Sequence, residues 1–87
     1  MTNKIWQVYE LNVLGTDFYY MGYTNLDLQL KLMLHKNAPI NERLKELRSQ
    51  GYQFMIRSLN QLQTEEEAER IVEDILDLCA IDHCCLN

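Results

Sequence analysis

Three groups of side chains in this 87-residue sequence could do chemistry. The first is aromatic: Tyr9, followed by the run Phe18-Tyr19-Tyr20-Met21-Gly22. The second is basic. Lys31, Lys36, Arg43, Lys45 and Arg48 cluster in the middle of the chain, where they could contact phosphates. The third closes the chain: Cys79, His83, Cys84 and Cys85 are thiol and imidazole groups of the kind that bind zinc. No matched Cys-x-x-Cys pair is present, and three cysteines that include an adjacent pair do not make a disulfide framework. Reduced thiols, with Cys79 buried and a loose tail beyond it, are the simpler expectation.

These residues need elements to hold them. Lys4 to Leu11 is rich in β-branched and aromatic residues, as is Phe18 to Met21. Gly15-Thr16-Asp17 supplies the turn, so Tyr9 and Tyr20 come together on neighbouring strands of a hairpin. Thr24-Asn25-Leu26-Asp27 has the pattern of an N-cap followed by an acid, which predicts a helix over about 25–36. The alternation of Leu26, Leu28, Leu30, Leu32 and Leu34 also fits a strand, but the cap and the length favour helix. Pro39 opens a second helix, in which Ile40, Leu44 and Leu47 recur at helical spacing and Gly51 caps the end. Tyr52 to Leu59 reads as a third strand, with Tyr52, Phe54 and Ile56 on one face. Thr64-Glu65-Glu66-Glu67 is a capping box. It begins a last helix to about Cys79, whose apolar stripe is Ala68, Ile71, Val72, Ile75, Leu76 and Cys79. The expected class is α+β: a three-stranded antiparallel sheet flanked by helices, in the order β-β-α-α-β-α. One domain spans 1–87, with a short cysteine-containing tail at 80–87.

Gln7-Val8-Tyr9 and Tyr20-Met21-Gly22 resemble the two motifs of the GIY-YIG nuclease family, and the element order resembles that family's over about residues 5–78. The resemblance implies a phosphodiester-cleaving site. Tyr9 would help to activate water and Tyr20 would orient the phosphate. An arginine on the first helix would stabilise developing charge, and a glutamate on the last helix would hold Mg²⁺. The arginine is expected about eight residues after Gly22, and that position is Leu30. Lys31 falls one residue late, a rotation of about 100°, although Lys31 with His35 resembles an Arg-x-x-x-His pattern. The glutamate is expected four residues after Ala68, and that position is Val72. Glu73 again falls one residue late. Apolar residues at both charged positions imply a site filled in with core, since an unpaired buried charge is costly.

Charge bears on the partner. The chain carries a net charge of −5. Residues 1–63 hold a net +2, and residues 64–87, where Arg70 faces eight acids, hold −7. Such a field repels a phosphate backbone, and only a local patch attracts one. On the first helix Leu26, Leu30, Met33 and Leu34 form one apolar stripe, and Leu28 and Leu32 a second. The second stripe marks Leu28 and Leu32 as candidates for contact with a protein partner or another copy; alternatively, one stripe meets the sheet and the other the second helix. No apolar run approaches the roughly 20 residues of a membrane span. No signal-peptide core opens the chain, so a cytoplasmic location is expected. The leading expectation is a degenerate, inactive GIY-YIG-like domain, without cofactor, that acts by protein interaction; inhibition of a nucleic-acid enzyme is one such role. One alternative is a small Mg²⁺-dependent endonuclease using Tyr9, Tyr20, Lys31 and Glu73. Another is a non-cleaving nucleic-acid-binding module using Lys31, Lys36, Arg43, Lys45 and Arg48.

Overall fold

The computed structural model describes residues 5–39 and 41–87. Lys4, expected in the first strand, and Ile40, expected on the second helix, lie outside them. Strands β1 (Trp6–Val13), β2 (Tyr19–Thr24) and β3 (Phe54–Leu62) form an antiparallel sheet in the order β2-β1-β3. Helices α1 (Leu28–Asn37) and α2 (Glu42–Ser49) fall between β2 and β3, and α3 (Glu65–Leu78) follows β3. The expected α+β class and element order both hold.

Alternation along β1 divides the core in two. Tyr9, Leu11 and Val13 point to one face, where Phe54 and Ile56 of β3, Leu28 and Leu32 of α1 and Leu44 and Leu47 of α2 meet them. Val8 points to the other face, where Met21 and Tyr23 of β2 and Leu62 of β3 meet the stripe Ala68, Ile71, Val72, Ile75 and Leu76 of α3. The α3 stripe is therefore buried as its periodicity predicts. The hairpin closes through Gly15 at φ 83° and through Thr16, whose hydroxyl donates to the Val13 carbonyl at 2.8 Å. Gly51, at φ 93°, ends α2: its N–H donates to the Arg48 carbonyl, and the Tyr52 N–H to that of Leu47. These two bonds satisfy carbonyls that the helix end would otherwise leave free.

Several boundaries move. Asp27, not Thr24, caps α1 by accepting from the Gln29 N–H at 2.9 Å. Thr24 stays in β2, where its hydroxyl accepts from the Leu26 N–H at the strand exit. Pro39 does not open α2, because Asn41 caps it by accepting from the Leu44 N–H. Strand β3 starts at Phe54, so Tyr52 is outside it, and it runs on to Leu62 across a bulge that leaves Leu59 without a partner in β1.

The two stripes of α1 divide between core and surface. Leu28 and Leu32, candidates for an exposed partner contact or for burial within the fold, are half-buried against the core, whereas Leu30, Met33 and Leu34 are exposed. Apolar side chains lie all round this helix, so composition does not select the inward face. The tail is also not loose. Cys85 bridges to Tyr19 as a short parallel continuation of the sheet: the Tyr19 N–H donates to the Cys84 carbonyl at 3.0 Å, and the Leu86 N–H to that of Tyr19 at 2.8 Å. The Asn87 amide accepts from the Met21 N–H and donates to its carbonyl. Leu86 is fully buried beside Leu44 and Phe18, and Cys79 is half-buried. Leu86→Ala is expected to reduce the free energy of unfolding by about 2–4 kcal/mol, the range for emptying a well-packed leucine site. Urea denaturation followed by circular dichroism measures this, and an unchanged midpoint would show that the tail adds nothing to the core.

Candidate functional site

Tyr9, Tyr20, Lys31 and His35 converge on the face of the sheet that carries α1 and α2. Tyr9 lies opposite Gly22 in the hairpin register. A Cβ at Gly22 would lie 2.6 Å from Cζ of Tyr9, so only glycine lets the ring lie across the neighbouring strand. The ring is then held over β2, and its hydroxyl meets Nε2 of His35 at 2.8 Å. The rings of Tyr9 and Tyr20 both meet the imidazole edge-on, with centroids 5.7 and 5.3 Å away.

Burial sets the protons in this cluster. Tyr9 is only 2% exposed, and its phenol is pushed well above its ordinary range by desolvation and then by Tyr20. Burial, with the Lys31 ammonium adding to it, lowers the His35 pKa to about 4. The imidazole is therefore neutral at pH 7. A buried phenol has to donate its proton, and His35 is its hydrogen-bond partner. Nε2 is thus the acceptor, and the ring proton sits on Nδ1. No buried side-chain nitrogen or oxygen among the described residues lacks a partner. Both groups are uncharged at pH 7, and the hydrogen bond between them fixes the orientation of the imidazole.

Beside the pair opens a pocket of about 320 Å³, lined by Tyr20, Lys31, Leu34, His35, Ala38 and Asn41. The Asn41 amide is committed to capping α2 and to the Leu86 carbonyl. Lys31 brings the only charge in the lining, and α1 carries Lys31 and Lys36 with no acid. The pocket can therefore take an anion against an aromatic and aliphatic wall. The structure brings Lys31, not Leu30, to this position; Leu30 is exposed and outside the lining. Of the other basic candidates, Arg43 donates to the Cys85 carbonyl and Arg48 to that of Lys36, so both help to hold the α2 face together. Lys45 is exposed on α2 and lies outside the pocket.

The acidic half of the expected site is elsewhere. Val72 is buried among Val8, Met21 and Ala68 on the opposite face of the sheet. Glu73 is exposed on α3, where with Glu69 and Glu65 it raises the pKa of Tyr23 after burial has done so. Among the described residues no group of three or more His, Cys, Asp or Glu side chains is placed to hold a metal ion. The side chains at Tyr9 and Tyr20 do not fit a divalent cation: Val72 offers no oxygen, and Glu73 belongs to the helix on the far face. His35 was the residue hardest to place from sequence. Its one signal in the sequence is its spacing, four residues after Lys31; its place against Tyr9 follows from the rotation of α1. Comparison of the chain with protein-family descriptions, characterised proteins and solved structures finds no match.

Two expectations follow. The folded protein holds His35 neutral while the unfolded chain protonates it near pH 6.5. Between about pH 6.5 and 4 the unfolded state binds the extra proton, so this contribution is complete above that window and is lost as pH falls through it. His35→Gln keeps an acceptor for Tyr9 and should flatten the stability-versus-pH curve in this window, measured by urea titration at a series of pH values. Gly22→Ala should destabilise by about 1–3 kcal/mol and by much less in a Tyr9→Leu background. Equal costs in the two backgrounds would remove the ring-over-glycine contact as the cause.

Proposed function

We propose that this chain is a non-cleaving, GIY-YIG-like binding domain that takes an anionic group, such as a nucleic-acid phosphate, at the pocket of Tyr20, Lys31 and His35. The observation that carries this reading is the division of the nuclease-like residues between the two faces of the sheet. Lys31 and the Tyr20 phenol edge line an open pocket, whereas Val72 is buried in apolar core on the other side. The first arrangement suits the electrostatic attraction of a phosphate. The second supplies nothing that would activate a nucleophile or neutralise a leaving oxygen. Tyr9 is sealed beneath His35 and does not line the pocket, which argues against its activating a water molecule.

Charge placement supports the same face. Helix α2 carries Arg43, Lys45 and Arg48 against Glu42 and Glu46, next to the acid-free α1. Seven acids of α3 face only Arg70, and α3 covers the opposite side of the sheet. A polyanion would approach from the α1–α2 side, and with an overall charge of −5 its binding would be weak and strongly salt-dependent. The exposed Leu30, Met33 and Leu34 beside this pocket favour a second reading, contact with a protein.

Short duplex DNA titrated at low salt should bind with an affinity that falls steeply as salt rises, and Lys31→Ala should weaken it about five- to tenfold and lower the salt slope by about one. Supercoiled plasmid incubated with Mg²⁺ or Mn²⁺ should remain intact. Nicking that Glu73→Ala abolishes would overturn the non-cleaving reading, and binding indifferent to Lys31 would overturn the pocket.

A further inference from the structure

Two exposed apolar patches lie on opposite sides of the sheet, with lysines beside the one on α1 and aspartates beside the one at the end of α3. On α1, Leu30, Met33 and Leu34 are 47%, 55% and 43% exposed. Helical spacing places them on the face opposite Leu28, Leu32 and His35, with Lys31 along one flank and Lys36 along the other. The helix itself holds no acid, and the carboxylate near the strip, Asp27, is engaged at the N-cap by the Gln29 N–H. At the far end of α3, Leu78 and Ile81 are 85% and 91% exposed, the highest values among the large hydrophobic residues described. Asp74 and Asp77 lie together on one side of Leu78, and Asp82 follows Ile81.

A basic residue in the last turn of a helix normally offsets the negative end of the helix dipole. The last turn of α3 has no basic residue and does have Asp77. The last-turn carbonyls of Ile75, Leu76 and Asp77 are taken up by the Cys79 and Ala80 N–H groups, so the need for a partner rests on the side chains: aspartates and two exposed aliphatic groups call for a surface that is apolar and basic. The α1 strip has that composition.

We infer that the α3 end of one copy docks on the α1 strip of a second, with Leu78 and Ile81 against Leu30, Met33 and Leu34, and Asp74 and Asp77 beside Lys31 and Lys36. The two patches are different surfaces on opposite faces, so the contact is head-to-tail. It leaves one strip and one end free in every pair and propagates into a ring or a short chain. The strip shares Lys31 and Leu34 with the pocket, so the docked copy covers the anion site, and its aspartates meet the same ammonium that an anion would. Association in the absence of any ligand does not rest on the pocket's function, and the two readings fail separately.

Sedimentation velocity over a range of protein concentrations tests the contact. The wild-type chain should form dimers and larger species in low salt, and association should weaken in high salt. Met33→Asp and Leu78→Asp change exposed residues only and should each leave a folded monomer by circular dichroism, with the association constant reduced at least tenfold. An equimolar mixture should then form a one-to-one dimer and nothing larger. Met33→Asp keeps its α3 end and Leu78→Asp keeps its strip, so one intact contact remains. A wild-type chain that stays monomeric at millimolar concentration overturns the inference. So does a Leu78→Asp variant that associates as well as wild type, which would mean that strip meets strip, or a mixture that remains monomeric.

Discussion

A buried phenol has to place its O–H against an acceptor, and leaving that group unpaired costs about 1–3 kcal/mol. Tyr9 meets this demand through Nε2 of His35, 26 residues further along the chain. The bond has a precondition in the sheet, since the ring reaches that position only by crossing β2 where Gly22 has no Cβ. It also has a consequence for the helix. With His35 turned inward, Leu28 and Leu32 follow on the same face. Leu30, Met33 and Leu34 are forced outward, and Lys31 comes to the edge of the pocket. This hydrogen bond, together with the packing of Leu28 and Leu32, sets the rotation of α1 where apolar composition leaves it undecided.

This accounts for which features were legible in the sequence. Helix α3 was readable because its stripe is apolar on one side and acidic on the other, so only one rotation buries it. The α2 stop at Gly51 was readable because a positive φ selects glycine locally. The rotation of α1 was not, since it depends on a partner in another strand and not on the helix's own pattern. Its start was displaced for a related reason: Thr24 and Asp27 are both competent caps, and the length of β2 decides between them. The tail was illegible because its order comes from backbone pairing with Tyr19 and from the Asn87 amide bonded to both backbone groups of Met21. Pairing of this kind leaves no hydrophobic period. Of the candidate site, Tyr9, Tyr20 and Lys31 come together, whereas Glu73 lies beyond the sheet, as follows from Val72 completing the α3 stripe.

The tail matters to the site as well as to the core. It passes from the α3 side of the sheet, along the outer edge of β2, to the α2 side, where Leu86 is buried and its carbonyl accepts from Asn41. Asn41 in turn caps α2 and forms part of the pocket wall. The edge of β2 is thereby paired along Tyr19 and Met21, which removes one open strand edge. The wall of the pocket thus rests on a segment more than 40 residues distant, and its shape depends on the closure of the whole fold.

Tyr9 and Gly22 invite a chemical reading because they resemble a nuclease motif, yet packing explains both. The glycine admits the ring, the ring positions the imidazole, and burial keeps both groups uncharged at neutral pH. None of these duties requires a substrate. The residues that catalysis would need and packing would not are a different set: a cation in the cleft and a carboxylate on the last helix. Lys31 meets the first requirement and Val72 fails the second. A motif whose members are accounted for by packing is evidence about architecture. The lysine beside it, for which packing gives no account, is the residue on which the proposed anion site turns.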